Sequence, residues 1–288
     1  MWEAPSAQWL DGDRLHLQHG PIDLVLRAWG AASAVREAYD AAMARFQTVL
    51  PELTGELIEL RKPMSGRPHV ETPVAQRMVA ACRPHSAVFV TPMAAVAGAV
   101  ADEILSVMTE AAPLDRAFVN DGGDIAVHLT EGEQIDVALA ADFSRGAVPA
   151  LNGRLTLRHG DGIGGIATSG AQGRSFSLGI ADSVTVLARD AAGADVAATL
   201  IANAVDLDHP AVSRKPASEL DPDSDLGDLP VTVAVGDLTH DDIATALEAG
   251  RQRADQFRKR GLIRDAALAL RGAVVTLGPF TRMRELRP

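Results

Sequence analysis

The stretch that most narrows the choice of fold follows Thr91-Pro92. The threonine and proline read as a helix start, an N-cap followed by the first helical residue. The helix after them, MAAVAGAVADEILSVMTEA, runs to about Ala111, and its first half carries almost no side-chain bulk. A helix so bare is buried against other backbone, or it lets a ligand approach closely. Aromatic residues make up only 4% of the 288, so Ala, Val, Leu and Ile must fill the core. Backbone packing this close also admits a homodimer.

Hydrophobic periodicity supplies the remaining elements. Residues 14–19 alternate, and 22–27 follow after Gly20-Pro21, which reads as a β-hairpin. Residues 32–49 lack Gly and Pro and read as an amphipathic helix with Val35, Tyr39, Met43 and Phe46 on one stripe. Residues 62–73 hold three prolines and a glycine and read as a loop, after which Thr72-Pro73 repeats the helix-start signal. Strands are expected at 116–120, 125–129, 134–139, 153–157, 163–168 and 183–187, then a helix at 191–204. Residues 206–229 contain seven acids, three prolines and no periodicity, and read as a long acidic loop excursion of the lid or disordered kind. A strand at 231–235, a helix at 241–260 and a closing strand at 268–277 complete the chain. In that helix Asp242 lies near the start and Arg258, Lys259 and Arg260 in the last turn, an order that suits the helix dipole. Gly261 is its stop signal. Strands and helices do not alternate strictly, so the class is α+β: a mostly antiparallel sheet covered by helices, in a single domain over 1–288.

Charge and composition set the function classes aside. The net charge of −11 and the scarcity of aromatics argue against a nucleic-acid partner, which needs a basic face or stacking platforms. Only three of the 27 basic residues are lysine. The single cysteine, Cys82, excludes an internal disulfide and any multi-cysteine metal site, and its neighbours Val79, Ala80 and Ala81 mark it as buried. The eight histidines are scattered without helical metal spacing, which makes a zinc site improbable. No run of 18 apolar residues occurs, and the opening MWEAPSAQWLDGDRLH lacks a basic region followed by an apolar one. The expectation is a cytoplasmic protein with no membrane partner.

Three segments could carry chemistry. Asn120-Asp121-Gly122-Gly123-Asp124 is a four-residue hairpin turn, or a place where bare backbone N–H groups meet a phosphate or ribose that Asn120 and Asp124 also bind. Residues 160–170 contain six glycines or serines beside a β run, and are either a glycine-rich turn or an anion cradle. Their spacing is neither that of a P-loop nor that of a dinucleotide fingerprint. Asp195 and Thr199 are four apart on a helix, so one carboxylate and one hydroxyl share a face that could bind a hard divalent cation, or simply face solvent. Arg61, Arg67 and Arg83 flank loops as anion contacts or solvated charges.

Taken in order, these segments resemble the ApbE family of FAD-dependent flavin transferases, from Pro92 to Asn203. The residues that carry the resemblance are Gly98 with Asp102, Asn120-Asp121-Gly122-Gly123-Asp124 and Ala167-Thr168-Ser169-Gly170. Ser183-Val184-Thr185-Val186-Leu187-Ala188 and Ala194-Asp195 with Ala198-Thr199 complete the set. The resemblance implies an ApbE-like fold that binds FAD with Mg²⁺. It also implies metal ligation by Asp195 and Thr199, and ligand contacts from Asn120, Gly122, Gly123, Asp124, Thr168, Ser169 and Gly170. Two departures stand out. Ala97 occupies the position of the family's lysine, and residues 171–182 contain no counterpart of the family's histidine. Residues 174–179 could form a different pocket wall. The chain thus looks like an uncharacterised, cytoplasmic branch of the family. Three functions follow: transfer of FMN to a hydroxyl acceptor, flavin binding without transfer as an accessory protein, or unrelated chemistry with Asp102 or Asp124 as acid or base.

Overall fold

The computed structural model describes residues 3–142, 150–171, 173 and 175–278. Its elements begin with β1 (Ser6–Leu10), β2 (Arg14–His19), β3 (Ile22–Trp29), α1 (Ala32–Gly55) and α2 (Leu57–Leu60). Helices α3 (Pro73–Cys82) and α4 (Val96–Ala111) follow, then β4 (Arg116–Asp121), β5 (Asp124–Leu129), β6 (Gln134–Asp142) and β7 (Ala150–Arg158). Next come β8 (Gly165–Ser169), β9 (Ser183–Ala188), α5 (Ala191–Ala204), β10 (Val212–Pro216) and α6 (Ala217–Leu220). The chain closes with β11 (Pro230–Val235), α7 (His240–Lys259), β12 (Asp265–Leu270) and β13 (Ala273–Leu277). The class is α+β, and the pairings from β1 through β5 to β8, from β9 through β12 to β13, and of β10 with β11 are antiparallel. The described residues fall into two compact units. The first runs through Ile135 and adds Arg158–Ala167 and Ala188–Val196, and the second takes the rest.

In the first unit the strand order is β1-β2-β3-β4-β5-β8. Along β3, Ile22, Leu24, Leu26 and Ala28 are buried while the residues between them are half-exposed, the period-two pattern of a sheet with one covered face. Helices α1 and α4 supply the cover, α1 on β2 and β3 and α4 on β4, β5 and α1, and α3 packs on α4. Helix α1 runs beyond the expected end at 49, through Pro51 to Gly55, and its buried stripe is Ala34, Ala38, Tyr39, Ala42, Phe46, Val49 and Leu50. Val35 and Met43, expected on that stripe, are only half-buried. Thr72 precedes α3 as expected, yet its side chain makes no cap. The carboxylate of Glu56 instead accepts the backbone N–H groups of Glu71 and Thr72, at 3.1 and 2.8 Å.

Residues 92–111 are long and apolar enough to cross a membrane by length and composition. They form a core helix here, 56% buried, and Glu103 within them is paired to Arg45 and Arg77 at 2.8 and 2.9 Å.

The second unit holds β6 paired with β7, β10 paired with β11, and β9-β12-β13, with α7 lying on β12 and β13. Every residue of β9 is buried. Thr239 and Asp242 form a reciprocal capping box at the start of α7, and Gly261 ends the helix with φ 72°. The acidic stretch 206–229 is not the featureless loop its composition suggests. It contains β10 and α6, and its second half returns to β11. Arg214 and Lys215 obscure the strand pattern in β10, where Arg214 pairs with Asp206.

Candidate functional site

The bare helix α4 meets α5 through backbone. A Cβ on Gly98 would lie 2.3 Å from the carbonyl oxygen of Ala191 and 2.7 Å from the nitrogen of Ala192, so only glycine fits there. Contact this close brings the first turns of the two helices together, and each is capped by an aspartate of the other. Asp102 of α4 accepts the N–H groups of Ala191 and Ala192 at 3.0 and 2.9 Å, one on each oxygen. Asp195 of α5 accepts the N–H of Gly98 at 3.1 Å. Asp190 adds a local cap, accepting from Gly193 at 2.7 Å. These carboxylates satisfy N–H groups that a buried helix start would otherwise leave orphaned.

Burial pushes the Asp102 carboxyl up to about 6, against the lowering pull of its two N–H partners. Asp195 is raised well above the carboxylate range, first by burial and then by the negative charges of Asp124 and Asp121. The N–H groups of Gly98 and Ala97 only partly offset this. Asp121 and Asp124 are direct partners across the β4–β5 hairpin, so their side chains share one face of the ribbon. Like charges placed opposite each other are destabilising unless a cation or proton answers them. Here a third carboxylate, Asp195, acts on the same ground.

The turn between β4 and β5 is the expected four-residue turn, Asp121 to Asp124, with Gly122 and Gly123 at its centre. Gly122 and Gly123 stand at φ 61° and 116°, a conformation that demands glycine at the second position. The N–H of Gly123 donates to Oδ1 of Asn120 at 2.8 Å. That N–H serves the turn, and the Asn120 NH₂ remains as a donor. Asp121 is the member of this cluster that the sequence argument passed over, since it was counted only as part of a turn. Its signal was visible as the acid that mirrors Asp124 across Gly122-Gly123.

The other expected contacts lie in the second unit. The Thr168 hydroxyl hydrogen-bonds that of Thr185 at 2.9 Å. Ser169 ends β8, and Gly170 follows where a Cβ would meet the carbonyl oxygen of Asp182 at 2.4 Å. Gly164 and Gly165, in the first unit, likewise have backbone where a side chain would go, that of residues 189–191. Close approach of main chains therefore accounts for these three glycines. Thr199 is half-buried, one turn after Asp195 on α5. Of the expected pocket wall at 174–179, Arg174 lies outside the described residues. Leu178 donates its N–H to Asn203 at 3.0 Å, and Gly179 packs on the carbonyl of Ala202. Cys82 is buried as expected, bonded to the carbonyl of Thr91, and burial pushes its thiol up.

Helices capped across each other, a glycine turn between paired aspartates and an antiparallel sheet together make an α+β protein. The family model described as "AbpE bacteria" matches residues 7–276, and the chain belongs to that family. It is 41% identical over 134 residues to a UPF0280 protein of Methanothrix thermoacetophila, covering 46% of this chain and 52% of that one. It is 35% identical over 156 residues to a UPF0280 protein of Methanopyrus kandleri, covering 54% and 58%. The chain thus spans about half the length of the curated relatives it matches. Its fold resembles that of the ApbE protein of Thermotoga maritima, with a TM-score of 0.50 at 12% identity over 98% of this chain and 99% of the other.

Proposed function

We propose that the protein binds FAD or a closely related flavin nucleotide together with Mg²⁺, as an ApbE-type protein. The observation that carries this is the pairing of Asp121 with Asp124 across the hairpin, with both charges acting on the buried Asp195 carboxyl. Deeply placed oxygen donors with too much negative charge fit a small hard cation. Among the described residues no three acidic, imidazole or thiol groups lie close enough to cage a metal unaided. A Mg²⁺ site here therefore draws on water and on the ligand's phosphates, as Mg²⁺ sites commonly do. Asp195, with Thr199 one turn further along α5, would hold the ion, and Asn120, Gly122, Gly123 and Asp124 would contact the nucleotide. When bound, the ion neutralises the diphosphate and the charge on departing AMP. Asp195 keeps its orientation through the Gly98 N–H, and the Asn120 NH₂ is free to donate to a phosphate or ribose oxygen. Asp102 has both oxygens on α5 and acts as a positioning group.

Two outcomes of binding are distinguished by chemistry. FMN transfer to a hydroxyl acceptor needs a group to take the acceptor's proton. Binding without transfer is favoured by Ala97, which offers only its N–H toward Asp195, and by the lack of histidine in 171–182. The test is titration with FAD in the presence of Mg²⁺ or EDTA, following flavin absorbance and AMP release. FAD bound and cleaved to AMP indicates transfer. FAD bound and intact indicates an accessory binding protein. Failure to bind either flavin or Mg²⁺ overturns the proposal.

A further inference from the structure

A cavity of about 450 Å³ opens in the first unit, between two turns that the flavin proposal leaves unused. One wall is the short helical turn Met64–Gly66 and the residue after it, Arg67. The other is the end of α3 with the turn Arg83–His85 and Ser86. Both are held by main-chain bonds: Met64 N–H to the carbonyl of Val90 at 2.8 Å, Arg67 N–H to that of Met64 at 3.2 Å, and Ser86 N–H to that of Arg83 at 3.3 Å. The lining is chemically divided. Met64 and Val79 are buried and apolar, whereas Ser65, Ser86, Arg67 and Arg83 are exposed and polar.

Three observations give the arginines a role beyond solubility. Neither Arg67 nor Arg83 forms an ion pair among the described residues, in a chain with 38 acids to 27 bases. Glu59, an acid close by in sequence, is engaged by Lys62 and by the His69 N–H. Arg67 also sits at φ 50°, in the left-handed region, while the adjacent Gly66 does not. Local preference alone would place the glycine at 67, so the strained arginine marks a site where the side chain matters more than the backbone.

Two unneutralised guanidinium groups and two hydroxyls around an apolar floor match a tetrahedral dianion attached to a carbon skeleton. A nucleic-acid backbone would need a wider basic face than this acidic chain provides. We propose that the cavity binds a small phosphate monoester. Its phosphate is held by Arg67 and Arg83 with help from Ser65 and Ser86, and its carbon portion rests on Met64 and Val79.

The experiment is calorimetric titration of the full chain, without flavin or added metal, using inorganic phosphate and glycerol 3-phosphate. It therefore stands or falls apart from flavin binding. The expected result is saturable binding of both, with the ester tighter. Arg83→Gln should weaken it about tenfold or more, the usual loss for a charged hydrogen bond, and Arg36→Gln on exposed α1 should leave it unchanged. Arg67→Gly is the sharper variant. It relieves the left-handed strain, so its melting temperature should hold or rise while phosphate binding falls. No saturable binding by the wild-type chain, or wild-type affinity in both arginine variants, overturns the proposal. Equal affinity for ester and free phosphate overturns the assignment to an ester.

Discussion

Asp102 and Asp195 cap each other's helices, but their surroundings give Asp102 the simpler titration. Its carboxyl moves from about 4 in the unfolded chain to about 6 in the native one, so the native state binds the proton more tightly. Its contribution to stability is therefore fully present below about pH 4 and is lost as pH rises through about 6, by roughly 3 kcal/mol at most. Subtracting the unfolding profile of Asp102→Asn isolates this effect from the other carboxylates. Wild type should lose ground to the variant between about pH 4 and pH 6 and run parallel above it. A constant difference across that window would contradict the raised value. At the hairpin turn, Gly123 has open space around it but φ 116°, so Gly123→Ala should cost about 1–3 kcal/mol through backbone strain alone. Gly122→Asn at φ 61° should be nearly neutral, and urea unfolding of both variants separates the two cases. Asp195 and Asp124 were legible one by one, from helical spacing and from the turn. Their mutual approach was not, because it depends on how α5 and the β4–β5 hairpin come together.

Between α4 and α5, the lack of side chains that was plain in the sequence turns out to serve contact of main chain with main chain. What the sequence did not disclose was the partner. Nothing in residues 92–111 specifies that Ala191 lies against Gly98 or that Asp102 reaches the start of α5. Gly164, Gly165 and Gly170 carry the same lesson: a glycine needed for close approach looks like one needed for a ligand until its neighbours are known. The hairpin of β2 and β3, β9, α5 and α7 were all readable from periodicity, whereas β10 was hidden by its charged residues and α1 outran its expected end at 49, passing through Pro51. A Gly98→Ala side chain has no rotamer by which to escape Ala191 backbone, so the helices must part. The expected cost is about 1–3 kcal/mol or more in urea unfolding. Because separation also lengthens the bonds from Asp102, Gly98→Ala and Asp102→Asn should be less than additive when combined. Additive losses would mean that the helices hold their spacing by other contacts.

The α+β class followed from element order, and the resemblance to the family rested on five weak motifs between Pro92 and Asn203 that gain force only as a series, whereas the family model that shows membership matches residues 7–276. The net charge bears on how the metal proposal must be tested. A chain at −11 is stabilised by any salt that screens its self-repulsion, so a rise in melting temperature with MgCl₂ proves little alone. The informative quantity is the rise with MgCl₂ beyond that with NaCl at equal ionic strength. A cation bound only by the native state stabilises by mass action, about 2.7 kcal/mol at one hundred times its dissociation constant. EDTA should remove that excess and FAD should enlarge it. Asp195→Ala should abolish the excess while keeping the screening response, because the alanine removes the ligand and leaves almost all of the net charge. The proton on Asp195 competes with the ion, so the excess should also grow as pH rises. An excess that survives in Asp195→Ala, or that shrinks with rising pH, would retire Asp195 as the ligand.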